Sequence, residues 1–333
     1  MTTLDVKIKK KLWEFELCAG FSTEASCLGI LGRSGSGKSM TLKCIAGIET
    51  PDSGEIRLGD KTLFDSKSKI NIKPQIRRVG YLFQNYALFP NMTVSENIAA
   101  GVGKDKKEII SAMIKRFRLE GLERQYPGQL SGGQQQRAAL ARILACEPEV
   151  LLLDEPFSAM DAYLKEELRH ELLRVLKDYA GLAVLVTHDR DEVYELCDSL
   201  LLLDRGRVIA SGETKALFLN PGTCEAARLT GCKNLSRAKK LAEHKVKAID
   251  WNLELFTAER VPDSLTAVGI RAHDIRPSQG ETSEVLINTM RIEAPQITEM
   301  PFEWNIAFGG LLWKLEKSIH KSGRPGTIPE IAM

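Results

Sequence analysis

The chain lacks an excess of either charge: 46 Lys and Arg stand against 44 Asp and Glu, a formal net charge of +2. General polyanion binders carry a stronger imbalance, so nucleic acid is not an expected partner. The one local basic cluster, Lys7, Lys9, Lys10 and Lys11, is read as a solvated strand face. Paired cysteines are missing as well. Seven cysteines occur without a Cys-x-x-Cys spacing, an odd number that matches no zinc pattern, which points to free thiols in a reducing compartment. No apolar run is long: Val150–Leu153 and Leu200–Leu203 have strand length, far short of a membrane span. The first residues, Met-Thr-Thr-Leu-Asp-Val-Lys, lack the apolar core of a signal peptide. A soluble cytosolic protein is expected, one that reaches a membrane only through a partner. Repeats and low-complexity tracts are absent too, and 333 residues suit one large and one small domain.

What is present is a change of texture along the chain. Leu4 to Phe21 alternates and reads as antiparallel strands; Cys27–Leu31 is a short apolar strand, and Lys38–Ile48 has helical spacing. Gly54–Leu63 and Val79–Phe83 read as strands. Helical patterns cover Val94–Ala100, Lys107–Phe117 and Gln134–Leu144. Strands return at Val150–Leu153 and Leu182–Thr187 around a helix over Leu164–Lys177. Buried strands alternating with helices imply an α/β fold with a mainly parallel sheet. Leu200–Leu203 and Arg207–Ala210 flank Asp204-Arg205-Gly206 as a hairpin. Beyond about Arg237, strand-like segments at Val246–Phe256, Leu265–Ile270, Val285–Glu293 and Trp304–Leu315 suggest a small β domain, and 321–333 reads as a loose tail.

Three stretches carry chemistry. Gly32-Arg33-Ser34-Gly35-Ser36-Gly37-Lys38-Ser39, between a predicted strand and a predicted helix that continues with Met40, fits the phosphate-binding P-loop. Its glycines let backbone N–H groups turn inward on a phosphate at a helix start. Lys38 reaches the outer phosphates, and the Ser39 hydroxyl is placed to ligate Mg²⁺. The apolar strand Val150–Leu153 ends in Asp154 and Glu155. Asp154 suits Mg²⁺ held through water; Glu155, on the opposite face, suits polarising an attacking water. Ser131-Gly132-Gly133-Gln134 opens a helix, with Ser131 as cap and two glycines exposing bare backbone to a ligand.

Together these stretches resemble the nucleotide-binding subunit of ATP-binding-cassette transporters over residues 1–230, with a helical subdomain near 86–146. The expected architecture is a P-loop NTPase cassette over 1–232, combining a parallel core sheet with antiparallel β and helical subdomains. A small all-β, OB-like domain would follow over 233–320. The resemblance extends to Gln84 after Tyr81-Leu82-Phe83, to Ser158-Ala159-Met160-Asp161, and to His188, which lies 34 residues beyond Asp154. It implies that Gln84 contacts Mg²⁺ or the attacking water, that His188 bonds the γ-phosphate and positions Glu155, and that Asp161 couples two sites. It also implies that Ser131 and Gly133 bind the nucleotide of a second copy, so that Mg-ATP joins a head-to-tail homodimer. The family usually stacks adenine on an aromatic of the first strands. This hairpin is shorter than usual, and Trp13 is the candidate, with Phe15 nearby and core or edge packing as the alternative reading of Trp13. Arg33 replaces the common Pro or Ala of the loop.

Gln84 and Ser131 are 47 residues apart, room for a compact lobe and none for a long coiled-coil arm. With one cassette and no fused membrane helices, the resemblance implies the ATPase subunit of an importer on the cytoplasmic face of the membrane. A permease subunit would dock near Tyr86–Val94 through exposed Leu88 and Phe89, unless both pack inside the lobe. A periplasmic or extracellular solute-binding protein would be an indirect partner. Gly269–Ile275 is similar to the small β domain of oxyanion, sugar and polyamine importers, and Thr230–Asn234 resembles the molybdate and sulfate members most. The expected solute is molybdate or tungstate, then sulfate or thiosulfate, with iron, polyamines or phosphonate-like solutes after them. A soluble regulatory ATPase of the same type is the rival function.

Overall fold

Residues 2–102, 106–158, 162–277, 288–292, 294–317 and 330–332 are described in a computed structural model of the chain. They form two compact units, Met1–Asn220 and Pro221–Met333, a division that precedes the 232/233 boundary read from the sequence.

The first unit is built on one eleven-stranded sheet. Its strands and helices in chain order are β1 (Leu4–Lys11), β2 (Glu16–Thr23), β3 (Cys27–Leu31), α1 (Lys38–Ala46), β4 (Ser53–Leu58), β5 (Lys61–Asp65), β6 (Ile70–Asn71), β7 (Val79–Leu82), α2 (Val94–Val102), α3 (Lys107–Arg116), α4 (Gly132–Leu144), β8 (Val150–Asp154), α5 (Ala162–Lys177), β9 (Leu182–Thr187), α6 (Arg190–Leu196), β10 (Ser199–Asp204), β11 (Arg207–Glu213) and α7 (Thr214–Leu219). The sheet order is β6-β5-β4-β1-β2-β11-β10-β3-β9-β8-β7. The half from β10 to β7 is parallel; the half from β6 to β2 is antiparallel.

Sequence pattern explains the split. Every residue of β3, β8 and β9 is buried, as strands covered on both faces require. β1 instead alternates, burying Leu4, Val6 and Ile8 while Lys7 and Lys9 face water, so the basic cluster is a solvated face. Lys10 is the half-buried member, donating to Thr50 O at 2.8 Å. Leu28, Ile30, Leu42, Ile45, Leu152 and Val184 share one core, each contributing about 1.5–3 kcal/mol by burial.

The parallel register aligns chain positions at one edge. Leu31 pairs with Thr187, Asp154 with Val186 and Leu82 with Leu153. The segments leaving β3, β7, β8 and β9 therefore begin side by side, as the carboxyl ends of parallel strands do around ligands. Gly54–Leu63, expected as one strand, is two: Leu58 pairs with Lys61 across a two-residue turn, Gly59-Asp60.

The second unit contains α8 (Cys224–Leu229), β12 (Asn234–Ala242), β13 (Lys245–Ala248), β14 (Leu253–Phe256), β15 (Ala267–Ile270), β16 (Arg276–Pro277), β17 (Thr289–Arg291), β18 (Gln296–Glu299), β19 (Glu303–Phe308), β20 (Leu311–Glu316) and β21 (Glu330–Ala332). They form one four-stranded and two three-stranded sheets around Val246, Trp251, Ile306, Leu311 and Trp313. Three expectations change here. Val246–Phe256 and Trp304–Leu315 each divide into a hairpin, the latter at Gly309-Gly310, whose φ values of +50° and +79° match the left-handed turn joining Phe308 to Leu311. β12 escapes the sequence pattern because two of its three inward residues, Asn234 and Ser236, are polar; Asn234 is satisfied by Leu312, donating to its O at 2.8 Å and accepting from its N at 2.7 Å. The end of the expected loose tail, Glu330–Ala332, pairs with β16 and β17; the rest of 321–333 lies outside the described residues, as do 285–287 and 293.

Candidate active site

The phosphate loop leaves β3 and enters α1, and each of its glycines has a local cause. A Cβ at Gly32 would lie 2.2 Å from Leu203 O and 2.7 Å from Ser36 Oγ, so only glycine passes there. Gly37 caps α1 with φ +102°, without a side-chain cap bond and with no acid in the first turn. The first N–H groups of the helix therefore keep their affinity for an anion. Ser36 Oγ is buried and has no hydrogen-bond partner, an orphaned polar atom in the loop that a phosphate oxygen would satisfy.

Lys38 is almost fully buried, and its Nζ donates to Gly32 O at 3.0 Å and Arg33 O at 2.9 Å. Burial lowers its pKa, while the Glu155 and Asp154 carboxylates oppose that shift. Its Nζ lies 3.9 Å from Glu155 Oε1, and Glu155 Oε2 lies 3.3 Å from His188 Nδ1. The structure thus brings Lys38, at the start of α1, together with Glu155 and His188, which directly follow β8 and β9. Glu155 has φ +46°, a left-handed backbone that costs a non-glycine residue about 1–3 kcal/mol. Its N–H donates to Val186 O at 2.9 Å, which ties the turn to β9.

Asp154 is 6% exposed and accepts two bonds: Ser39 Oγ donates to Oδ1 and Tyr81 OH to Oδ2, each at 2.7 Å. Burial, then the bond to Asp154, pushes the Tyr81 phenol pKa up, which keeps it a donor. Sequence reasoning passes over Tyr81; its only signal is an aromatic hydroxyl in a strand that pairs with β8. Ser39 and Asp154 form a pair of hard oxygen donors, a set that fits Mg²⁺. Among the described residues, no group of three or more His, Cys, Asp or Glu could hold a metal alone.

Gln84 is placed elsewhere. It is exposed, and its Nε2 donates to Ser158 Oγ at 3.0 Å, which donates to Glu155 O at 3.0 Å. It touches the acidic turn through Ser158, without a hydrogen bond to Asp154 or Ser39 among the described contacts. Asp161 lies outside the described residues.

His188 is flanked in the chain by Thr187 and Asp189, which belong to a network that no sequence motif singles out. Asp189 caps α6, accepting from Asp191 N at 2.9 Å. Lys165 of α5 reaches Asp189 Oδ2 at 2.5 Å and Glu192 Oε1 at 2.7 Å. Glu192, 3% exposed, accepts from Thr187 Oγ1 at 2.5 Å. Burial alone would raise the Asp189 carboxyl, but the bonds from Lys165 and the Asp191 N–H hold it below its ordinary value. The two acids raise Lys165 against the opposing effect of burial.

Ser131 caps α4 in a reciprocal box: its N donates to Gln134 Oε1 at 2.8 Å, and Gln134 N donates to its Oγ at 3.3 Å. Gly132 is exposed, and a Cβ there would meet open space; Gly133 is buried. Trp13 is 102% exposed at the β1–β2 turn, which excludes the edge-packing reading. Phe15 is the packed aromatic: a Cβ at Gly206 would lie 2.5 Å from its Cδ2, and one at Gly37 3.6 Å from its Cε2. Met40 and Arg33 flank the loop, half-buried and exposed; Ser34 and Gly35 form its exposed tip, Gly35 at φ +78°.

In the segment Tyr86–Val94 the expectation of an exposed Leu88 is corrected. Leu88 is half-buried, Tyr86 is buried, and Phe89 and Met92 carry the exposure, at 47% and 38%. The difference lies in φ values of +60° at Tyr86 and +43° at Ala87, which break simple alternation. A groove of 790 Å³ beside the segment is lined by Phe83, Ala87, Phe89, Gly101, Arg142 and Cys146.

Comparison with known proteins gives a consistent set. The family described as ABC transporter matches residues 22–158. A probable sulfate/thiosulfate import ATP-binding protein of Chlorella vulgaris is 41% identical over 242 residues, which cover 70% of this chain and 100% of that one. The spermidine/putrescine import ATP-binding protein of Clostridioides difficile is 35% identical over 309 residues, covering 90% and 85%. Among solved structures, a dimeric ATP-binding cassette in a post-hydrolysis state with ADP and Pi superposes with a TM-score of 0.52 at 27% identity, covering 64% of this chain and 99% of that chain.

Proposed function

This chain belongs to the ABC transporter family, and on that premise we propose that it is the ATP-hydrolysing subunit of an importer, acting as a head-to-tail homodimer with Mg-ATP at each seam. The observation that carries this is the convergence of Lys38, Ser39, Asp154, Glu155 and His188 on adjoining strand ends. Lys38 and the N–H groups of Gly32 to Ser39 would bind the phosphates, with Met40 behind them. Ser39 and Asp154 would hold Mg²⁺, which when bound neutralises charge between the outer phosphates. Gln84, one hydroxyl away from Glu155, would join that shell. Glu155 would take the proton of the attacking water, and His188, at 3.3 Å, would orient it. Ser131, Gly132, Gly133 and Gln134 would meet the nucleotide of the second copy, Asp161 would couple the sites, and Trp13 would stack adenine.

The groove beside Phe89 would receive a permease subunit, placing the protein peripherally on the cytoplasmic face of the membrane. No helix among the described residues is long and apolar enough to cross one. A periplasmic or extracellular solute-binding protein would act through that permease. For the solute, the relatives reverse the order expected from the sequence. The Chlorella and Clostridioides proteins are named for import of sulfate/thiosulfate and of spermidine/putrescine, so sulfate or thiosulfate stands ahead of molybdate, with polyamine as the second candidate.

Glu155→Gln tests the reading. Light scattering with saturating Mg-ATP is expected to show a stable dimer, and cells carrying this variant to lose uptake of radiolabelled sulfate. A monomer that still hydrolyses ATP at the unaltered rate contradicts the mechanism; loss of putrescine uptake with sulfate uptake intact changes the solute.

A further inference from the structure

The segment that leaves Gln84 has no regular structure of its own, yet it is held at fixed points by two side chains. Asn97 of α2, fully buried, accepts from Phe89 N at 2.8 Å and donates to the carbonyls of Phe89, Met92 and Thr93 at 2.9–3.1 Å. Arg142 of α4 takes the other end. Its Nη1 donates to Ala87 O at 2.8 Å and its Nη2 to Tyr86 O at 3.1 Å, while the guanidinium lies 5.3 Å from the Phe89 ring centroid. Tyr86 and Ala87 are the consecutive residues with positive φ, a turn that persists only where its surroundings over-determine it. Arg142 therefore grips the two strained carbonyls with a planar fork that a point charge cannot reproduce.

The two ends of this contact matter. One end of α4 is the Ser131 cap, and Arg142 lies in its last turn. On the other side, Gln84 is two residues from Tyr86 and is joined through Ser158 to the carbonyl of Glu155. Resting on the reading of a dimeric ATPase, we propose that Arg142 is a positioning residue that ties α4 to the turn at Tyr86-Ala87, so that a nucleotide engaged by Ser131 moves the 84–93 segment together with Phe89. Helix α4 acts as the rigid strut and the left-handed turn as the element it sets.

Amide hydrogen exchange of the full chain tests this, with Glu155→Gln as the background and Mg-ATP as the ligand. With Arg142 present, Mg-ATP is expected to slow exchange of residues 84–93 by about tenfold. Arg142→Lys keeps the charge and loses the fork; it is expected to bind Mg-ATP and dimerise as before, with the slowing reduced to about twofold or less. If Arg142→Lys shows the full slowing, the proposal is overturned. Should that variant fail to fold, Ala87→Gly leaves Arg142 in place and relaxes the turn. It is expected to melt no lower than the parent and to lose the same response, and a retained response would overturn the proposal equally. A parent protein that neither binds Mg-ATP nor dimerises would remove the ATPase reading itself, before any change at 142, and this inference with it.

Discussion

In the parallel half of the large sheet, β3, β8 and β9 are buried along every residue and are followed directly by Gly32, Glu155 and His188. In the antiparallel half, β1 buries alternate residues and its turn carries the exposed Trp13. A strand covered on both faces has no side chain free for chemistry along its length, so its reactive groups appear where it ends. A half-exposed strand lacks that restriction, and its polar residues serve solubility. The two halves thus differ: one sets Lys38, Asp154 and Glu155 side by side at strand ends, and the other presents an aromatic without packing it.

Substitutions sharpen that contrast, from the largest expected effect downward. Lys38→Ala is expected to reduce ATP hydrolysis by about 10²–10³, the usual loss for one preorganised charge-stabilising donor; phosphate release measures it. Leu152→Ala, at 0% exposure in β8, is expected to cost about 3–4 kcal/mol, against about 1 kcal/mol for Ile8→Val in β1. Urea titrations measure both costs, and the gap follows from three carbons removed against one.

Lys165→Met is expected to destabilise by about 2 kcal/mol at neutral pH, below the cost of a fully buried pair because Lys165 and Asp189 remain about a quarter exposed. The Asp189 carboxyl is held low, so its contribution is present above the ordinary aspartate range and disappears as pH falls through its lower folded value. Lys165 is held high, so its contribution is present below the ordinary lysine range and disappears as pH rises through its folded value. The difference between variant and parent should therefore be widest between about pH 4 and 10 and narrow on either side; thermal melts across pH check this. Trp13→Ala should leave stability unchanged within about 0.5 kcal/mol and raise the KM for ATP several-fold, since stacking on a base contributes about 1–3 kcal/mol. A KM unchanged by Trp13→Ala but raised by Phe15→Leu would move the adenine platform to Phe15.

The same contrast governs what can be read from residues alone. Cys27–Leu31, Val150–Leu153 and Leu182–Thr187 are legible because burial on both faces demands unbroken apolar runs. The phosphate loop is legible because its spacing encodes its backbone. β12 is not, since the polar Asn234 and Ser236 occupy two of its three inward positions. Tyr81 and Lys165 are not, because their partners Asp154 and Asp189 become neighbours only through pairing and packing. The exposure of Phe89 is legible and the half-burial of Leu88 is not, since the left-handed pair at Tyr86-Ala87 re-aims the side chains beyond it.

The pairing of Asp154 with Val186 has a consequence for how such a site tolerates change. Asp154 is the last residue of β8, and Glu155 leaves the ladder at φ +46° with its N–H donated to Val186 O, so the two neighbouring acids reach different partners because the strand ends between them. An inserted or deleted residue in β8 would shift that end against β9 and carry both carboxylates away from Ser39, Tyr81, Lys38 and His188 while leaving composition and hydrophobicity almost untouched. The ladder is thus a ruler as well as a scaffold, and length in these two strands is more tightly constrained than the identity of the apolar residues that fill them.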